Sequence, residues 1–241
     1  MKKLQKKIFI NGNILAVTGL HIGGTNSQMG IGGPDNLIIR NPLTQRPMIP
    51  GSSLKGKMRS LLELSKGAYD TTKKLGGVGN DEEITALFGM SADAKDMNTH
   101  ASRLIVRDAE LSNFDDAEWD NTDMLFSESK TEVVINRLTS AATPRTFERV
   151  PAGATFDFEI VVNIVSDDDK IDETTYNLLK LLANGMQLLQ DDYLGGNGSR
   201  GYGKIHFTNL KLTEKNYAGN ETTETESAEV IKNLFQNFMT E

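Results

Sequence analysis

Residues 155–165 (TFDFEIVVNIV) set Phe156, Phe158, Ile160, Val162 and Ile164 on one face and Asp157, Glu159 and Asn163 on the other. That is the two-residue period of a half-buried strand. Residues 5–17 alternate in the same way around Ile8 and Ile10, and 102–108 (SRLIVRD) read as another strand. In 204–212 (KIHFTNLKL) the apolar parity changes between Phe207 and Leu210, which predicts a strand with a bulge. Two stretches follow the helical period instead. Residues 50–66 (PGSSLKGKMRSLLELSK) open on an N-cap serine and carry Leu54, Met58, Leu61 and Leu62 on one face. Residues 172–192 turn Leu178, Leu179, Leu182, Met186 and Leu189 inward. Residues 66–101, rich in glycine, threonine and charge around a short LFGM, predict a mobile insertion. The order strand, helix, strand, long insertion, strand, helix, strand predicts one α+β domain of ferredoxin-like or RNA-recognition-motif type over 1–212. An acidic tail, 213–241, ends in a short helix around VIKNLFQNF.

Composition narrows the chemistry. The chain has no cysteine, so thiol catalysis, disulfides and thiolate metal sites are excluded, and His21, His100 and His206 lack metal-ligand spacing. Its basic start is followed by no apolar run of signal-peptide length, and no stretch reaches membrane-span length. A soluble, cytoplasmic protein without a membrane partner is expected. The formal charge of −7 argues against a polyanionic partner until its distribution is considered. Residues 110–123 carry −6 and 214–241 carry −4, which leaves +3 on the rest. Base gathers at 55–59 (KGKMR), at Arg137, at Arg145 with Arg149, and at 199–204 around Arg200.

Within 193–204 (YLGGNGSRGYGK), Gly196, Gly198 and Gly201 have dinucleotide-fingerprint spacing. This loop leaves a helix and enters a strand, the reverse of the Rossmann context, and Lys204 lacks Walker spacing. The glycines and Arg200 remain suited to close approach of a phosphate, or form a bare turn. At 50–59 a helix N-terminus is combined with Lys55 and Arg59, basic residues where the dipole prefers an anion. Residues 127–156 hold Arg137, Arg145 and Arg149 with apolar Val133, Val134 and Ile135, as in a projecting hairpin that wedges against a nucleic-acid strand or forms a subunit interface. Glu128 and Glu132, with Asp108 and with Asp35 in the glycine-rich IGGPDN, supply the oxygen ligands that a magnesium-type site takes.

Together TGLHIGG (18–24), GGPDN (32–36), IPGSSLKGKMRSLLE (49–63), RLIVRDAELSN (103–113), INRLTSAATPRTFERVPAG (135–153) and DYLGGNGSRGYGKI (192–205) resemble the repeated backbone subunit of type III-A CRISPR effector complexes, a RAMP-superfamily family. The resemblance runs from about residue 5 to 212. It implies a modified RNA-recognition-motif fold with large insertions and a thumb hairpin at about 120–150. It also implies copies self-associated in a filament along a CRISPR guide RNA, beside other effector subunits, cutting single-stranded target RNA at regular intervals. Asp35 matches the loop aspartate required for metal-dependent cleavage, with magnesium or manganese as the divalent cofactor. His21 looks like RNA or loop support. Lys55, Lys57, Arg59 and Arg200 match positions that hold the guide, and Arg137, Arg145 and Arg149 lie in the matching thumb. Pro34 departs from the hydrophobic or acidic residue that often precedes the aspartate. The alternative activity is a non-catalytic RNA-binding scaffold.

Overall fold

The protein is described by a computed structural model covering residues 3–24, 36–72, 78–90, 101–115, 117–166, 173–217 and 223–239. The strand β1 (Lys3–Ala16) lies between β7 (Thr155–Ser166) and β8 (Ile205–Asn216), both antiparallel to it. Ile8, Ile10 and Ile14 pair with Val162, Ile160 and Phe156 on one side, and Ile10 and Ile14 with Leu212 and Phe207 on the other. One apolar stripe therefore crosses three strands, and all of these residues are buried. The bulge expected in 204–212 is present: the register shifts between Asn11 and Asn13, and Asn209 takes up φ +56°. Beyond β7 lie β3 (Leu104–Val106) and β4 (Ala109–Leu111), and β2 (Met48–Ile49) pairs with β4. The path across the antiparallel sheet is β2-β4-β7-β1-β8-β9, with β3 also on β7 and β9 spanning Thr223–Glu226.

Helices α1 (Gly51–Lys66) and α3 (Glu173–Asp191) complete the core with Leu54, Met58 and Leu62 from one and Leu179, Leu182, Met186 and Leu189 from the other. They pack closely enough that a Cβ on Gly185 would meet Leu62 at 3.1 Å. Each such side chain contributes about 1.5–3 kcal/mol of burial. The start of α1 differs from the expected serine cap. Pro50 is the N-cap, and the Gly51 amide donates to Asp108 Oδ1 at 2.8 Å. The helix end thus has an internal anion, and Gly51 is required because a Cβ there would fall 2.1 Å from the Val106 carbonyl oxygen.

Parts of two segments form elements that their composition does not announce. Within the insertion, α2 (Glu82–Phe88) is capped by the Asp81 carboxylate and buries Ile84, Leu87 and Phe88 against α1 and α3. Past residue 212, β8 continues to Asn216 and pairs with β9, and α4 (Glu229–Leu234) leads into a 3-10 turn. Ile231, Phe235 and Phe238 are buried, and the Phe238 ring meets the Phe207 ring edge-on at 6.0 Å. The acidic composition of 213–241 hides three apolar anchors at helical spacing, so the core extends beyond the expected boundary. Strands β5 (Glu128–Ile135) and β6 (Ala142–Arg149) form a separate hairpin in the region where a projecting one was expected. No helix among the described residues is long and apolar enough to cross a membrane.

Candidate nucleic-acid interface

Residues 18–24 thread between the foot of the hairpin and the glycine loop. Leu20 and Val150 exchange both backbone hydrogen bonds at 2.8 Å. On the opposite side the Gly196 amide donates to the His21 carbonyl (2.8 Å), Gly203 to Gly19 (2.9 Å) and Lys204 to Thr18 Oγ1 (3.0 Å). Gly195 and Gly203, at φ +79° and +76°, press against the carbonyls of His21 and Leu194 so closely that a Cβ would sit 2.3 and 2.1 Å away. These two glycines therefore serve approach to the protein's own backbone.

His21 is buried, and its Nδ1 lies 2.6 Å from the Glu148 carbonyl oxygen, so Nδ1 carries the proton and donates. Its ring meets Phe147 edge-on at 5.9 Å. These contacts make it a buried support for the segments around it. The same corner fixes both feet of the loop that carries Asp35. Gly24 donates to the Leu37 carbonyl (3.0 Å), Ile39 to Ile22 (2.9 Å) and Glu148 to Asn36 (3.0 Å). Asp35 itself lies outside the described residues, one peptide, about 3.8 Å between Cα atoms, from the anchored Asn36. The Glu148 carboxylate completes the corner, accepting from Ile38 N–H (2.9 Å), Ser127 Oγ–H (2.7 Å) and Arg40 (2.5 Å). Burial alone would push this carboxyl up, but the Ser127 hydroxyl, Arg40 and the Ile38 amide outweigh it and hold the group below its ordinary value.

The inner face of the hairpin is charged. Arg149 Nε pairs with Glu128 at 2.6 Å, and Arg200 reaches across from the glycine loop to Glu132 at 3.1 Å. Lys130 and Arg149 lie 4.6 and 5.0 Å from the centre of the buried Tyr202 ring. Burial and then the Glu132 carboxylate push the Tyr202 phenol up to about 12, so it stays protonated. Arg137 and Arg145 are exposed on the hairpin, and its tip also exposes Val133, Val134, Ile135 and Leu138.

The basic set of α1 is arranged differently from the expected anion site. Lys55 Nζ donates to Ser102 Oγ (2.7 Å) and to the Leu104 carbonyl (3.1 Å), and burial and then Arg59 lower its pKa. Arg59 is spent on Glu63 (2.8 Å), the Gly89 carbonyl (2.7 Å) and the Gly79 carbonyl (3.3 Å). Only Lys57 faces the glycine loop, paired with Asp192 at 2.7 Å and 3.8 Å over the Tyr193 ring.

The expected carboxylate cluster is not assembled, because Glu128 and Glu132 face arginines while Asp108 caps α1. Among the described residues no three His, Asp or Glu side chains are placed to hold a metal. This donor set does not fit an all-protein cage. Sequence reasoning missed Glu148, Lys130 and Tyr202. The one available signal was parity, since Glu148 stands two residues before Val150, which is buried just past the end of β6.

A family model described as the RAMP superfamily matches residues 13–206. The protein named CRISPR system Cms endoribonuclease Csm3 from Methanothermobacter thermautotrophicus is 42% identical over 226 residues, 88% of each chain. Its namesake from Streptococcus thermophilus is 42% identical over 210 residues, 86% of this chain and 90% of its own. Among solved structures, the Csm3-Csm4 subcomplex of the type III-A CRISPR-Cas interference complex matches with a TM-score of 0.58 and 33% identity, over 98% of this chain and 96% of that one. A type III-B Cmr-beta complex bound to cognate target RNA matches at TM-score 0.60 and 16% identity, a likeness of fold. The chain belongs to the RAMP superfamily and, within it, to the Csm3 family.

Proposed function

We propose that this chain is the RNA-guided, metal-dependent endoribonuclease subunit of a type III-A CRISPR effector complex in antiviral defence. In this reading it binds guide RNA, associates with copies of itself and with other effector subunits, and cuts single-stranded target RNA. The observation that carries the reading is the meeting, at one corner, of the anchored feet of the Asp35 loop with the cationic face shared by the hairpin and the glycine loop. The sheet order, with α1 and α3 packed together, supports a ferredoxin-like assignment with the hairpin as thumb.

Cleavage then proceeds by attack of the target's 2′-oxygen on the adjacent phosphorus. The P–O5′ bond breaks, the 2′-hydroxyl proton passes to solvent and the leaving 5′-oxygen takes one up, giving a 2′,3′-cyclic phosphate and a 5′-hydroxyl. The hairpin's exposed tip parts the strand so that attacking and leaving oxygens can come into line, a positioning effect. Arg200 and Arg149 hold phosphate oxygens, and His21 keeps the loop feet in place. Asp35 would hold the divalent ion, which when bound offsets charge developing on the scissile phosphate.

The test is Asp35→Ala in the assembled complex. Guide RNA should remain bound while target cleavage falls by about a hundredfold or more. Undiminished cleavage would sink the assignment of Asp35. A wild-type complex that binds target without cutting it in magnesium or manganese would instead mark a scaffold.

A further inference from the structure

The period of β5 places Glu128, Lys130 and Glu132 on one face of the hairpin, with Arg149 opposite Glu128 and Arg145 opposite Glu132. Arg200 reaches the same face from the glycine loop. Lys130, Arg149 and Arg200 thus meet two carboxylates near Tyr202, with the exposed Arg145 on the same hairpin face, leaving positive charge in excess. Each carboxylate is engaged as a phosphate would be: Glu132 accepts from Arg200 at 3.1 Å with Lys130 at 3.9 Å, and Glu128 accepts from Arg149 at 2.6 Å. Guanidinium groups grip carboxylate and phosphate oxygens by the same donor geometry.

A second feature points the same way. The Tyr202 hydroxyl is fully buried and makes no hydrogen bond within 3.5 Å, although the Glu132 carboxylate and Arg149 stand close enough to act on it. Buried hydroxyls are nearly always satisfied. This one lies in the corner held by Glu132 and Arg149, where an incoming oxygen would complete it.

We infer that Glu132 at Arg200, and Glu128 at Arg149 two positions further down the same strand face, stand in for RNA phosphates, so that RNA enters this corner by exchanging carboxylate for phosphodiester oxygen. The inference rests on the RNA-binding reading above. The Arg200–Glu132 pair is suited to exchange from the arginine side, where the side chain is 54% exposed, while Glu132, 16% exposed, keeps Lys130 at 3.9 Å when Arg200 turns to a phosphate.

The experiment measures binding of a labelled single-stranded oligouridylate to the full-length chain across a salt series. Glu132→Gln should tighten binding by about threefold at low salt, a gain that shrinks as salt rises. Arg200→Gln should weaken binding, and in its background Glu132→Gln should bring no gain. Glu82→Gln, which removes an exposed carboxylate on α2, controls for net charge. Thermal melting of each variant establishes that it is folded. If Glu132→Gln matches the control, or keeps its full gain without Arg200, the exchange is wrong while RNA binding stands. If the wild-type chain binds no RNA, alone or in its complex, the RNA-binding reading fails and the inference with it.

Discussion

Arg59 and Arg200 have the same side chain and were equally visible as candidate anion binders, yet the fold uses them in opposite ways. Arg59, on α1, is closed in by Glu63 and by the carbonyls of Gly79 and Gly89, with 14% of its side chain exposed. Arg200, on the glycine loop, meets a single carboxylate across an open corner. What separates them is packing. Three of the five Arg59 N–H donors are taken by the fold itself, and turning the group to a ligand would strand buried acceptors. One that shares a carboxylate at the surface loses little by changing partner. The same contrast divides the carboxylates. Glu63 and Glu148 are buried and bound from several sides, whereas Glu128 and Glu132 each answer mainly to one arginine.

The sharpest way to break this contrast is to remove both arginines in turn. Arg59→Ala should cost about 4 kcal/mol, because Glu63 is left buried and unpaired. Arg200→Ala should cost less than about 1 kcal/mol. Chemical denaturation of the two variants checks this, and equal losses would erase the distinction.

Glu148 tests the same idea on the acid side, and through pH. Glu148→Gln should cost about 3 kcal/mol at neutral pH by removing the charge that Arg40 and Ser127 complement. The folded pKa lies below the ordinary 4.5, so wild type holds this stabilisation above that value and loses it as pH falls through the lowered one. The stability gap between wild type and variant should therefore narrow on acidification from about pH 4.5 downward. A gap independent of pH would mean that shape, not charge, is what the corner needs.

The smallest effects come from two glycines of α1. Gly51→Ala drives a methyl into the Val106 carbonyl and should cost about 2 kcal/mol. Gly56 has open space around it within the helix, so Gly56→Ala should raise stability by about 1 kcal/mol. Melting curves of opposite sign would show that the sealed region begins at the helix start, where Asp108 and the β3–β4 turn close over it.

Much of the fold was legible because it follows from local periods. The alternation in 155–165 and around Ile8 and Ile10 gave the central strands, and even the β8 bulge showed as a change of parity. The anchors of 213–241 were harder to see. Ile231, Phe235 and Phe238 lie among acidic residues, and composition averaged over the segment conceals three well-placed apolar side chains. Within the insertion α2 was concealed in the same way, since it needs only Ile84, Leu87 and Phe88 to dock.

The candidate site was legible only as an inventory. Motif resemblance picked out His21, Asp35, Arg200 and the hairpin, and family membership follows from identity spread along the chain. Residue type carried no information about Glu148, because a glutamate in an exposed-looking strand says nothing of the three donors brought to it from 38, 40 and 127.

The sequence by itself therefore determined which segments become strands and helices, the family, and the stock of charges available to the corner. Only the tertiary structure decided which charges are spent. A charge is spent by partners distant along the chain: Lys55 by Ser102 and Leu104, Arg59 by Gly79 and Gly89, Asp108 by the α1 terminus. Local pattern is set by neighbours a few residues away, but the free energy of a buried charge is set by whatever the fold places beside it.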